Sequence, residues 1–94
     1  MIIFLGPKIN LIFIMMNITF FYTNECGKCA DLKPIISEFS EVLGIEMVNT
    51  HEDELLTESY NVQWVPTLVI EDQNGKHKFE GPEEIKEVLK KLTL

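Results

Sequence analysis

The sequence predicts a single α/β domain, a mixed four-stranded sheet flanked by helices. Three observations lead there. From Asn17 onward short β-branched and aromatic runs alternate with segments whose apolar residues recur at helical spacing. The pair Asn74-Gly75 sits between two strand-like runs, a strong hairpin signal. The chain has 94 residues, 46% of them hydrophobic, which suffices for one core but not two.

The elements follow in order. Ile18 to Tyr22 is a short β-branched and aromatic run ending at Thr23-Asn24-Glu25, the pattern of a buried strand. Ala30, Leu32, Ile35, Ile36, Phe39, Val42 and Leu43 then mark a helix that opens at Cys26-Gly27-Lys28-Cys29 and stops at Gly44. Ile45 to Val48 is a second strand. Glu52 to Tyr60 reads as a helix with acids at its positive end. Thr67 to Ile70 and Lys76 to Phe79 form the hairpin, and Glu83 to Leu92 places Ile85, Val88, Leu89 and Leu92 on one face of a last helix. A helix joining two neighbouring strands implies parallel pairing and a right-handed crossover, while the hairpin adds antiparallel strands. Functional loops in such sheets lie at the carboxyl ends of the parallel strands, which puts Cys26 on the same edge as Thr50 and His51.

Residues 1–16 are strongly apolar, but Gly6-Pro7-Lys8 and Asn10 break the run short of the roughly 20 residues that a spanning helix needs. Basic residues at the start and a small-residue cleavage site are both absent, which disfavours export. Two readings stay open: an extra strand over Asn10 to Met16, or an extension upstream of a natural start at Met15 or Met16. The domain proper is expected over residues 17–94.

Net charge −7 argues against a nucleic-acid partner. Two cysteines are too few for a disulfide framework, and a bridge between them closes too short a loop to restrain an unfolded chain. The pair is better suited to chemistry. Only a thiolate attacks a disulfide. Cys26, just before a helix, can face free backbone N–H groups and the positive dipole end, and Lys28 adds a cation; both lower a thiol pKa. Glu25 opposes this from an expected exposed position. Cys29, one turn on, should be more buried. A zinc site would need about four ligands, and neither His51 nor His77 stands at a recognised finger spacing from the pair.

A strand, Cys-Gly-x-Cys, a helix and later Val65-Pro66-Thr67 before another strand resemble the thioredoxin superfamily, over roughly Asn17 to Leu94. Pro34, five residues after Cys29, matches the family's helix-kinking proline, and Ser59-Tyr60-Asn61-Val62 is similar to its Lys-Tyr-Gly-Ile segment. The resemblance implies a thioredoxin-like fold in which Cys26 is the nucleophile and Cys29 resolves the mixed disulfide. It also implies a cis peptide before Pro66, substrate pairing with the Val65 backbone, and a close backbone approach at Gly81. Departures are as informative. Phe20 and Met47 stand where the family carries a buried Asp and a Lys, Glu25 where it has Trp, and Lys28 where it has Pro, traits that lean towards glutaredoxin-like and minimal thioredoxins. Trp64 could line a substrate groove or pack in the core, and the readings are balanced. His51 reads as a solvated loop residue or a proton shuttle. The acids Glu52, Asp53, Glu54 and Glu58 suit a solvated helix face.

The expected function is reduction of protein disulfides in the cytoplasm by a monomer, with no cofactor, metal or membrane. Electrons are expected from a thioredoxin-reductase-like protein rather than glutathione, because Glu80, Glu83 and Glu84 near the site repel an anionic tripeptide. A glutathione-dependent glutaredoxin and a redox-inert binding or metal module are the alternatives.

Overall fold

β-branched and aromatic side chains favour the pleated, half-buried setting that Asn17–Tyr22 occupies as β1, the centre of the sheet. The computed structural model describes residues 16–92, so the expected strand over Asn10 to Met16 falls, Met16 apart, outside the described residues. β1 pairs in parallel with β2 (Ile45–Asn49) and antiparallel with β3 (Thr67–Asp72), which pairs antiparallel with β4 (Gly75–Glu80). The order is β2-β1-β3-β4, the mixed four-stranded sheet that the sequence implies.

The helices are α1 (Gly27–Leu43), α2 (Glu54–Ser59) and α3 (Pro82–Leu92). Gly44 ends α1 in a left-handed conformation, φ 69°, its N–H donating to the Ser40 carbonyl. Two helix starts differ from the sequence reading, each for a capping reason, while α2 ends one residue early at Ser59 and each strand runs one or two residues beyond its expected limits. α2 starts at Glu54 because Asp53 is spent as its cap, its Oδ1 accepting from the Leu56 N–H at 3.1 Å. α3 starts at Pro82, where a missing N–H costs nothing.

Period-two alternation divides β1 between two cores. Ile18 and Phe20 face α1 and α3, packing with Leu32, Ile36, Ile45, Leu68, Ile70, Ile85 and Leu89. Phe21 faces the other way, with Val48 and Val69, against Leu56 and Tyr60 of the α2 region, Val62 and Val65. Helices therefore cover both faces.

Tyr60 anchors the smaller core. Its ring meets Phe21 edge-on at 5.7 Å, Lys76 Nζ lies 4.5 Å over it, and its hydroxyl donates to Glu71 Oε1 at 3.0 Å. Burial, the bond to the Glu71 carboxylate and the charges of Glu71 and Glu46 push its pKa above 10.0. A phenol is neutral when protonated, so a raised folded pKa stabilises fully below the unfolded value and is lost as pH rises through the folded one. The urea midpoint of the wild type should therefore decline above about pH 10, more steeply than that of Tyr60→Phe. At pH 7 the variant should lose about 1 kcal/mol from the missing hydrogen bond. Parallel alkaline profiles would remove Tyr60 as the cause.

Candidate redox site

The sheet register brings four sequence-distant segments to one edge. Tyr22 pairs with Asn49 and Phe21 with Thr67, while Thr67 pairs with Glu80. The cysteine loop after β1, the Thr50-His51 turn after β2, Val65-Pro66 before β3 and Gly81 after β4 thus emerge together. Two backbone bonds tie the edge: the Thr50 N–H donates to the Tyr22 carbonyl at 2.9 Å, and the Gly81 N–H donates to the Pro66 carbonyl at 3.0 Å.

Cys26 is the cap of α1, in an extended conformation at φ −94° and ψ 109°. Its Sγ accepts from the Cys29 N–H at 3.0 Å and its carbonyl from the Ala30 N–H at 3.1 Å. The sulfur thus sits on the free N–H groups of a helix start, where negative charge is favoured. No acid occupies the first turn of α1 to weaken that field. Gly27 and Lys28 are exposed in this turn. Cys26 and Cys29 are disulfide-bonded, with Cα atoms 5.2 Å apart. Cys29 is fully buried, whereas Cys26 is partly exposed.

The Val65–Pro66 peptide is cis, and Gly81 has φ 90°, a conformation glycine adopts without strain. Thr67, fully buried, satisfies its hydroxyl by donating to the Trp64 carbonyl at 2.7 Å. Trp64 itself is 65% exposed, which removes the core-packing reading. It borders a shallow groove of about 260 Å³ shared with Thr50, Thr57, Val62, Gln63 and Val65. Among the described residues no three His, Cys, Asp or Glu side chains converge on a possible metal position, and no helix is long and apolar enough to cross a membrane.

A comparison with known families gives one decisive match: the thioredoxin family model matches residues 15–93. The chain belongs to the thioredoxin family. A curated relative, the chloroplastic thioredoxin Y of Oryza sativa subsp. japonica, is 36% identical over 67 residues, 65% of this chain and 39% of the relative. The chain therefore spans about two fifths of that relative's length. Among solved structures, the oxidised thioredoxin of Plasmodium falciparum aligns with a TM-score of 0.70 at 19% identity, covering 97% of this chain and 94% of its own. Thioredoxin 1 of Thermosipho africanus aligns with a TM-score of 0.70 at 24% identity, over 82% and 90% of the two chains. Identities this low establish the thioredoxin fold.

Within that family the two missing ionisable residues of this chain are cross-strand neighbours. Phe20 and Met47 are register partners on β1 and β2, with Phe20 fully buried and Met47 exposed. A carboxylate at position 20 would be buried beside an apolar partner, which the aromatic ring there avoids. Asn49 was not among the expected site residues, yet it shapes the second loop. Buried at the end of β2, it accepts from the His51 N–H through Oδ1 at 2.9 Å, and its carbonyl accepts from the N–H groups of Glu52 and Asp53. An asparagine between a strand and a polar run is a recognisable turn former. His51 is an exposed loop residue, and its Nδ1 lies 3.9 Å from Glu25 Oε1.

Proposed function

We propose that this thioredoxin domain is a thiol–disulfide oxidoreductase that reduces protein disulfides, with Cys26 as nucleophile and Cys29 as resolver. The observation that carries the reading is the Cys26–Cys29 disulfide at a strand-to-helix junction, its first cysteine partly exposed and its second fully buried. In the reduced protein the Cys26 thiolate attacks a substrate disulfide, releasing one substrate thiolate and forming a mixed disulfide. Cys29 loses its proton and attacks Cys26 Sγ, which releases the second substrate thiolate and leaves the protein disulfide. Two electrons pass to the substrate, whose thiolates take up the protons.

Lys28 adds positive charge beside the thiolate, and Gly27 is exposed in the same turn. Val65, Pro66, Gly81 and exposed Trp64 form the substrate-facing rim. The activity belongs to residues 17–94, a reading supported by a family match that begins at residue 15. We read the chain as a cytoplasmic monomer without nucleic-acid partners, supported for the last by its net charge of −7. The rice relative is named as chloroplastic, so a fluorescent fusion in the native cell is the test of compartment.

Electrons should come from a protein reductase. Glu25, Glu52, Asp53, Glu80, Glu83 and Glu84 border the active edge, against Lys28. Each exposed acid disfavours anionic glutathione by about 1 kcal/mol or less, all with one sign. The test oxidises the pair, then follows its reduction by millimolar glutathione with glutathione reductase and, separately, by a thioredoxin reductase, at low and high salt. Faster, salt-sensitive turnover with the protein reductase is expected. Rapid, salt-insensitive turnover with glutathione would make the chain a glutaredoxin.

A further inference from the structure

The Glu25–His51 pair stands at the mouth of the redox site without serving the fold. Its side chains are 76% and 70% exposed, and the 3.9 Å separation of carboxylate and ring is too solvent-screened to stabilise much. The backbone that carries the pair, by contrast, is fixed at both ends. Glu25 immediately precedes Cys26, and His51 is held against the end of β1 by the Asn49 side chain and by the Thr50 bond to Tyr22. Glu52 and Asp53 continue the His51 turn, and both are exposed. Asp53 Oδ1 also caps α2. Lys28 opposes this field from the first turn of α1.

We propose that Glu25, positioned beside His51, selects substrates by charge, favouring disulfides whose target cysteine is flanked by lysine or arginine. The inference rests on the oxidoreductase reading of Cys26 and Cys29 and adds the class of substrate that the site prefers. A flanking side chain of the attacked cysteine is drawn next to Glu25 when the mixed disulfide forms, because Glu25 and Cys26 are consecutive. Consecutive Cα atoms are about 3.8 Å apart, which sets a charge on a flanking substrate residue within the screening length of about 10 Å at 0.1 M salt. Glu25 also disfavours the Cys26 thiolate, but that effect slows attack on every substrate alike. Selection by charge is the part that differs between substrates.

The test uses the pre-reduced full chain, freed of reductant, and three synthetic peptides that each carry one disulfide flanked by lysine, serine or glutamate. Second-order rate constants are read by acid quench and mass spectrometry. At low ionic strength the lysine peptide should react about fivefold to tenfold faster than the glutamate peptide, with serine between them. Half-molar salt should shrink the ratio to under about twofold. Glu25→Gln should at least halve the low-salt ratio, whatever it does to the absolute rates. His51→Lys, which sets a fixed cation against Glu25 without touching the residue next to Cys26, should reduce the ratio similarly. Equal rates for the three peptides, or a wild-type ratio retained in both variants, would overturn the selection while leaving the oxidoreductase reading intact. Failure to reduce any peptide would overturn both.

Discussion

Replacing Cys26 with serine is expected to bring disulfide reduction down to the uncatalysed background, while Cys29→Ser should arrest the protein as a covalent mixed disulfide with its substrate. The two sulfurs differ in kind. Cys26 Sγ caps α1, accepts from the Cys29 N–H at 3.0 Å and is partly exposed. Negative charge is favoured there by the helix N–H groups, and a thiolate that forms there can reach a substrate. Cys29 is fully buried, so its thiol meets only a partner already attached to Cys26. Serine at 26 removes the attacking group. Serine at 29 leaves the first attack intact but removes the thiol that releases the product. Intact-protein mass spectrometry after incubation with a disulfide peptide distinguishes them: a stoichiometric adduct on Cys29→Ser, none on Cys26→Ser. Adducts on both variants, or equal alkylation of the two thiols at neutral pH, would reverse or erase the assigned order.

The second large effect is on stability. Phe20 is fully buried in the larger core, stacked at 6.1 Å on Tyr22 and packed among residues of α1, β3 and α3. Phe20→Ala should cost about 3–5 kcal/mol, since the lost transfer energy adds to a cavity that the sheet centre cannot collapse to fill. Domains of this size commonly have about 5–15 kcal/mol in total, so the variant should be close to unfolding at 37 °C. The urea midpoint should fall with little change in slope. A loss below about 1 kcal/mol would show that Phe20 does not hold the two helices to the sheet. The same position explains how this chain dispenses with the family's buried aspartate: the site is filled by an aromatic ring whose register partner, Met47, is apolar too.

Much of the architecture was legible because each element announces itself locally. β1 is a run of β-branched and aromatic residues, α1 and α3 carry helical periodicity, and Asn74-Gly75 marks the turn between β3 and β4. The limits of α2 and α3 were less so, because Asp53 and Glu52 resemble first-turn acids in sequence and only the bond from the Leu56 N–H makes Asp53 the cap. Proline at 82 reads equally as a breaker or as a helix start. The cysteine pair was visible because its members are near neighbours in the chain. The rest of the edge depends on register, which joins β1 to β2 and β3 across long stretches of sequence. That is why the exposure of Trp64, the bond from Gly81 to Pro66 and the approach of His51 to Glu25 emerge only in three dimensions. Asn49 is hard to read from sequence because a polar residue ending a strand looks like the start of a solvated loop, whereas here it is buried and organises the loop that follows.

The most direct test of the central claim is the reduction potential of the Cys26–Cys29 couple, read by alkylation and mass spectrometry after equilibration in graded thiol–disulfide buffers. The account predicts one two-electron transition, with a midpoint near the thioredoxin value of about −270 mV, at which the reduced pair can pass electrons to protein disulfides. A midpoint near about −120 mV would make the chain an oxidant. A pair that shows no reversible transition in this range would contradict the redox function altogether.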